Sequence, residues 1–109
     1  MAYKFIVAMV KPNFTDMVVN SAKQVGATGA TIIPASGTGA HEAKTFFGLS
    51  LDIRTDVVLF LVDGELVEPV LSAIKEAGRF SEPGTGIAFV LAVEQTAGFE
   101  SQLSKPQRR

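Results

Sequence analysis

The chain of 109 residues has no cysteine, a single histidine and a single tyrosine, and these shortages exclude several kinds of chemistry. Without cysteine the protein cannot form disulfides, a thiolate zinc site or a cysteine nucleophile. The one histidine, His41, stands next to Glu42 in a loop, where a solvated pair is the simpler interpretation. One histidine cannot build a metal site within a chain, although oligomer symmetry could bring several copies together. We therefore expect no metal site and, from the missing cysteines, a cytoplasmic protein.

The chain also has little excess charge of either sign. Ten basic residues against eleven acidic ones leave a net charge of −1. Proteins that bind nucleic acid usually present a basic face, whereas the one basic cluster here is confined to the C-terminal tail. We therefore expect no nucleic-acid partner.

Long hydrophobic segments and catalytic groupings are missing as well. The apolar stretch 5–10 has six residues, which is too short for the core of a signal peptide or for a membrane span. Ser50, Asp52 and Asp56 have no base placed to activate them. We therefore expect that the protein is not an enzyme.

Four apolar runs predict β-strands, at residues 5–10, 31–35, 56–62 and 87–93. Two helical patterns lie between them. The first helix is expected to take Thr15 as its N-cap, and the second to follow a cap at Asp63. Their apolar faces are Met17, Val18, Ser21, Ala22 and Val25 in the first helix, and Val67, Val70, Leu71, Ile74 and Ala77 in the second.

The order βαββαβ predicts a ferredoxin-like α+β sandwich, with a four-stranded antiparallel sheet and both helices on one face. In this topology the first and third strands are central, and Pro34 falls on an edge strand, where a missing N–H is tolerated. We expect one domain over residues 1–95, with an irregular loop at about 36–52 and a C-terminal tail at 96–109.

The predicted strands are apolar on both faces, although two helices can cover only one of them. An uncovered apolar face of this size exceeds what a monomer tolerates, so we expect an oligomer. The alternative is that residues 94–103 fold back over the face, but Phe99 and Leu103 are their only large apolar side chains.

Two Gly-Thr-Gly triplets, Gly37-Thr38-Gly39 and Gly84-Thr85-Gly86, form the most distinctive pattern. Two glycines permit positive φ and expose successive N–H groups, which is the geometry of an anion-binding nest, and a threonine hydroxyl adds a donor. Each triplet could alternatively be a simple turn. We predict that the two together bind an anionic ligand.

The loop at 36–52 also carries residues suited to a protein partner. Lys44 is its best anion contact, and Phe46 and Phe47 offer a surface for a partner or for adenine stacking. The alternatives are that Lys44 is merely solvated and that the phenylalanines tuck against the sheet edge. We assign His41, Lys44, Phe46 and Phe47 to a partner-binding loop.

In this order of elements, three segments resemble the PII signal-transduction family. They are VKPNFTDMVVNSAKQVGATGATI, LVDGELVEPVLSAIKEAG and PGTGIAFVLAVEQ, and the likeness covers about residues 4–95. The resemblance implies a homotrimer with its sheets packed inward. It further implies that the loop 36–52 is a partner-binding T-loop. Adenine nucleotides, and in some members 2-oxoglutarate, would bind in clefts between subunits, against the two triplets.

The chain departs from the family where cations would face a triphosphate. Ile87 and Ala40 stand in place of a lysine and an arginine, and Gly98 and Glu100 in place of two further arginines. Tight ATP binding is therefore not expected, because phosphate sites depend on charge-assisted hydrogen bonds. His41 replaces a glutamine that helps to hold Mg²⁺, and the T-loop lacks the tyrosine that some members modify.

The sequence thus predicts a PII-like regulatory trimer. It would bind a small anionic effector, with an adenine nucleotide as the leading candidate, require no cofactor, and control a membrane transporter or a metabolic enzyme. A divalent-cation tolerance protein and a small trimeric enzyme of the same fold are the alternatives.

Overall fold

The computed structural model describes residues 2–36 and 54–99. Within them the chain forms β1 (Tyr3–Val10), α1 (Thr15–Gln24), β2 (Thr31–Ala35), β3 (Thr55–Asp63), α2 (Val67–Ala77) and β4 (Gly86–Ala92). Each helix is preceded by one 3-10 turn, Pro12–Phe14 before α1 and Gly64–Leu66 before α2. The predicted order βαββαβ is confirmed, β2 has the predicted bounds, and the ends of the other strands lie within two residues of the predicted ones.

The four strands form one antiparallel sheet in the order β2-β3-β1-β4. The two central strands, β1 and β3, contain neither glycine nor proline, so their backbones can pair on both sides. Pro34 lies on the edge strand β2, as predicted. This is the ferredoxin-like α+β sandwich expected from the sequence.

Both helices pack on one face of the sheet and bury the apolar side chains of β1 and β3 on that face, which are Ile6, Ala8, Val10, Val58, Phe60 and Val62. This core is continuous across the sheet and the two helices. Its largest fully buried side chains are Ile6, Val10, Val18, Val58, Phe60, Val70 and Ile74. Neither helix in the described ranges has the length and apolarity needed to cross a membrane.

The apolar face predicted for α1 is only partly correct. Val18 and Ala22 are fully buried, as expected, but Met17 is 55% exposed and Val25 is 39% exposed. Met17 precedes Val18 by one residue, or about 100° around the helix, and so points sideways. Val25 lies past the last helical residue, where the backbone has left the helical conformation.

The two helix starts differ in how they are held. Asp63 accepts a hydrogen bond from the Glu65 amide at 3.0 Å, which confirms the predicted cap, although a 3-10 turn intervenes before α2. Thr15 was predicted as an N-cap but is the first residue of α1, where it makes no cap hydrogen bond because its hydroxyl is directed at β3.

Candidate functional site

The ends of the strands at one edge of the sheet bring the candidate site together. Val10, the last residue of β1, pairs with Asp56 on one side and with Gly86 on the other. Ala35, the last residue of β2, pairs with Thr55. The attachment points of the loop 36–52 and the second Gly-Thr-Gly triplet therefore lie at the same end of the sheet, which we call the loop end.

Two threonine side chains form hydrogen bonds between neighbouring elements at the loop end. The buried Thr55 hydroxyl donates to the Val10 carbonyl at 3.0 Å, which joins the start of β3 to the end of β1. The Thr15 hydroxyl, 4% exposed, donates to Asp56 Oδ2 at 2.6 Å. The first residues after the loop are thus held to both β1 and α1.

The turn that follows α2 has an unusual residue at its left-handed position. The amide of Phe80 donates to the Lys75 carbonyl at 3.0 Å and that of Arg79 to the Glu76 carbonyl at 3.2 Å, which is the Schellman pattern of a helix end. Glycine normally occupies the left-handed position of this motif, but here Arg79 has φ 59°. A non-glycine residue in this conformation costs about 1–2 kcal/mol.

Gly78, the residue before Arg79, cannot be replaced by a residue with a side chain, because the Phe80 ring lies against it. A Cβ on Gly78 would come 2.6 Å from Phe80 Cε1, and a Cβ on Gly86 would approach the same atom even more closely. Gly86 is also confined by the Met9 carbonyl oxygen, 2.8 Å from the position of a Cβ. Gly86 therefore has a packing role that is independent of any ligand.

The second triplet is hydrogen-bonded to the turn that follows α2. The Thr85 hydroxyl, in a residue 6% exposed, lies within hydrogen-bond distance of the Arg79 carbonyl and of the Glu82 carbonyl at 2.9 Å, and shares its proton between them. It is therefore engaged within its own loop and differs from the free donor expected from the sequence. Gly84 has φ 78°, a conformation that favours glycine.

The guanidinium of Arg79 lies on the ring of Phe14, with the Arg79 Cζ 5.3 Å from the ring centroid. Phe14 is the residue just before α1, in the connection that leaves β1. Arg79 itself is exposed. Its cation thus stands at the loop end, between the second triplet and the start of α1.

Sequence reasoning missed Arg79, Phe80 and the Thr15–Asp56 pair. The signal for Arg79 was in the segment Ala77-Gly78-Arg79, where glycine comes one position before the left-handed residue. The Thr15–Asp56 contact joins residues 41 apart in sequence and leaves no local pattern.

The remaining predicted site residues lie outside the described residues. They are Gly37, Thr38, Gly39, His41, Lys44, Phe46 and Phe47, and their ligand and partner roles stay predictions. Their loop begins after the edge strand β2, whereas Gly86 begins the opposite edge strand β4. Three strand spacings, about 14 Å, separate these edges within one chain. Among the residues that the structure describes, no group of three or more potential metal ligands occurs.

The face of the sheet away from the helices is apolar, as predicted. The register aligns Leu61, Phe5 and Leu91 in one row, Leu59, Val7 and Phe89 in the next, and Val57, Met9 and Ile87 in the third. Leu91 is 50% exposed, and Ile33, which extends the third row onto β2, is 44% exposed. We call these three rows with Ile33 the open face.

The C-terminal tail reaches one corner of the open face. Phe99 packs edge-to-face on Tyr3, with the ring centroids 4.7 Å apart. Tyr3 is the first residue of β1, at the end of the sheet opposite the loop end. The described part of the tail therefore leaves most of the open face accessible in a single chain.

The element order, the antiparallel sheet and the two helices on one face define a ferredoxin-like α+β domain. The chain matches the model of the family described as Nitrogen regulatory protein P-II over residues 3–101. It belongs to this family, whose members are regulators that act on partner proteins.

Individual relatives agree with this assignment. The chain is 24% identical to the nitrogen regulatory protein GlnK1 of Methanosarcina mazei, over 97% of both chains. It is 32% identical to the nitrogen regulatory protein P-II of Bradyrhizobium diazoefficiens, over 84% of this chain and 87% of that one. Among solved structures, the PII protein of Arabidopsis thaliana bound to citrate is similar with a TM-score of 0.66. It is 26% identical, over 84% of this chain and 78% of that one.

Proposed function

We propose that the protein is a homotrimeric, cytoplasmic P-II regulator that binds a small anionic effector in clefts between subunits. Through the T-loop, residues 36–52, it would control a membrane transporter or a metabolic enzyme. The family assignment favours this function over the cation-tolerance and enzyme alternatives, because P-II proteins are regulators.

The observation that carries the proposal is the position of the two loops on the sheet. The T-loop leaves the edge strand β2 and returns to the central strand β3, whereas the second triplet precedes β4 at the opposite edge, about three strand spacings from the end of β2. One chain cannot easily close both around one small molecule. When copies pack through their open faces, the β2 edge of one subunit can meet the β4 edge of the next, and both loops then contribute to one cleft.

The effector is expected to be an anion with few phosphates or several carboxylates. Gly84, with φ 78°, has the backbone conformation of an anion-binding nest, while the cations that would hold a triphosphate are replaced by Ile87 and other neutral or acidic residues. The similar PII structure bound to citrate shows that a tricarboxylate can occupy a protein of this fold. We therefore rank AMP, ADP and citrate above ATP.

The test couples assembly to binding. Sedimentation of the wild-type chain should give a trimer at micromolar concentration, and titration calorimetry should detect ADP or citrate. Leu91→Glu adds a charge to a side chain that is half exposed in the single chain, so it should leave the fold intact while preventing assembly. We expect the variant to be monomeric and to lose binding of both ligands.

Met17→Glu is the matched control, because Met17 is 55% exposed on the helix side of the sheet. This variant should remain trimeric and bind as the wild type does. A monomeric wild-type protein, or a Leu91→Glu monomer that binds ligand with full affinity, would contradict the intersubunit cleft.

A further inference from the structure

The left-handed conformation of Arg79 has no explanation in the stability of the helix end. Glycine would adopt the same backbone, with φ 59°, at lower cost, and the Schellman hydrogen bonds of Arg79 and Phe80 use only backbone atoms. An arginine kept in this conformation points to a use for its side chain.

The side chain is held but its charge is not neutralised. The guanidinium rests on the Phe14 ring at 5.3 Å, and within residues 2–36 and 54–99 it has no carboxylate partner. A cation–π contact attracts the guanidinium to the ring without using its N–H groups, and these N–H groups match a phosphate or carboxylate bidentately. Arg79 is exposed, so a ligand can reach it.

The backbone of the same residue supports the second triplet. The Arg79 carbonyl accepts from the Thr85 hydroxyl and, at 2.9 Å, from the Glu82 amide. The position of the arginine is thereby tied to that of Gly84 and Gly86 through one shared hydrogen-bonded turn. The backbone of Arg79 and the loop that carries the two glycines are therefore one hydrogen-bonded unit at the loop end.

We propose that Arg79 is the cation that binds the oxyanion group of the effector, which is a phosphate or a carboxylate. It would supply the positive charge that Ile87, the residue after the second triplet, does not provide. This inference rests on the proposed function, because it names the charged contact of the same cleft. It makes the site specific for ligands that present a planar pair of oxygens to a guanidinium, and selective against ligands that need several cations.

Three variants of Arg79 and one control test the assignment by titration calorimetry with ADP, pyrophosphate and citrate. Arg79→Gly removes the cation and relieves the left-handed residue, and Arg79→Asn removes the cation with a residue that tolerates this conformation. Arg79→Lys keeps the charge without the planar fork. Lys75→Ala removes a neighbouring exposed cation whose side chain has no part in the turn.

We expect Arg79→Gly and Arg79→Asn to weaken binding about tenfold or more, Arg79→Lys to weaken it measurably, and Lys75→Ala to leave it within about twofold. Arg79→Gly should also raise the melting temperature by about 4 °C, since the strained residue is relieved. A variant that is more stable and binds less excludes misfolding as the cause.

The outcomes separate the two proposals. If the wild-type protein binds a probe and Arg79→Gly binds it equally well, or if Lys75→Ala loses as much affinity, the role of Arg79 is refuted while the intersubunit cleft stands. If the wild-type trimer binds none of the three probes, the anionic effector is refuted, and the assignment of Arg79 falls with it. Comparing the affinity for pyrophosphate with that for citrate shows whether the bound group is a phosphate or a carboxylate.

Discussion

At the scale of single residues, the loop end is organised around the ring of Phe80. Gly78 and Gly86 lie on either side of this ring, and neither has room for a Cβ. The two glycines of the second Gly-Thr-Gly triplet thus have different structural roles, which the sequence pattern alone does not distinguish. Gly84 has the positive φ of a ligand-binding nest or tight turn, whereas Gly86 lets an aromatic ring pack against the start of β4.

Replacing Gly86 should therefore destabilise the fold whether or not a ligand binds. Gly86→Ala forces a methyl group against Phe80 and toward the Met9 carbonyl, and we expect a loss of roughly 1–3 kcal/mol in the free energy of unfolding. Urea denaturation measures this loss. Gly29→Ala is the control, because a Cβ there meets nothing within 4 Å, and it should be neutral within about 0.5 kcal/mol.

A second substitution separates the two contacts that crowd position 86, the Phe80 ring and the Met9 carbonyl. If the Phe80 ring is what excludes a side chain at position 86, then Phe80→Leu and Gly86→Ala together should cost less than the sum of the two single changes. Strictly additive losses would show that the Met9 carbonyl alone sets the requirement for glycine.

At the scale of the elements, the Thr15–Asp56 hydrogen bond is the one side-chain bond between α1 and β3 in the described ranges. It joins the first residue of the helix to the second residue of the strand that follows the loop 36–52, at 2.6 Å. Thr15 is buried and Asp56 is half-buried, so the bond is shielded from water. It fixes the direction in which the chain enters β3.

A double-mutant cycle measures this link. Thr15→Val and Asp56→Ala should each destabilise the protein, and the coupling between them should be about 1–2 kcal/mol, because the hydrogen bond has a charged acceptor. The carboxylate of Asp16, in the exposed first turn of α1, offers a control. Asp16→Ala should cost less than about 1 kcal/mol and should not couple to Asp56→Ala. A coupling near zero for Thr15 and Asp56 would mean that the bond does not hold α1 on the sheet.

The elements themselves were predictable because their signals are local. Each strand is an apolar run bounded by glycine, proline or charged residues, and Pro34 marks an edge. The error at Thr15 has a non-local cause: the residue has the chemistry of a cap, but a carboxylate 41 residues away in sequence accepts the hydrogen bond of its hydroxyl. The candidate site was less predictable, because Arg79, Phe80 and Phe14 acquire their roles only when the end of α2 meets the connection before α1.

At the scale of the whole molecule, the main feature is the large apolar surface of the open face. Its three rows combine large side chains from β1, β3 and β4, and Ile33 adds the edge strand β2. Burying one such side chain completely contributes about 1.5–3 kcal/mol, and these are already partly shielded by one another. Even half of that value, summed over the rows, is comparable with the 5–15 kcal/mol that typically stabilises a domain. Association through this face would therefore account for much of the stability.

Folding and assembly of the protein are therefore expected to be linked. If subunits associate through the open face, dilution shifts the equilibrium toward single chains, and the melting temperature of the wild-type protein should rise with concentration. Calorimetric scans between about 1 and 100 μM measure this dependence, and we expect an increase of several degrees. The Leu91→Glu variant should melt lower and at a temperature independent of concentration, since it has no assembly to lose. A wild-type melting temperature that is constant over this range, with an unchanged sedimentation coefficient, would show that the open face is stable in water and that each subunit folds alone.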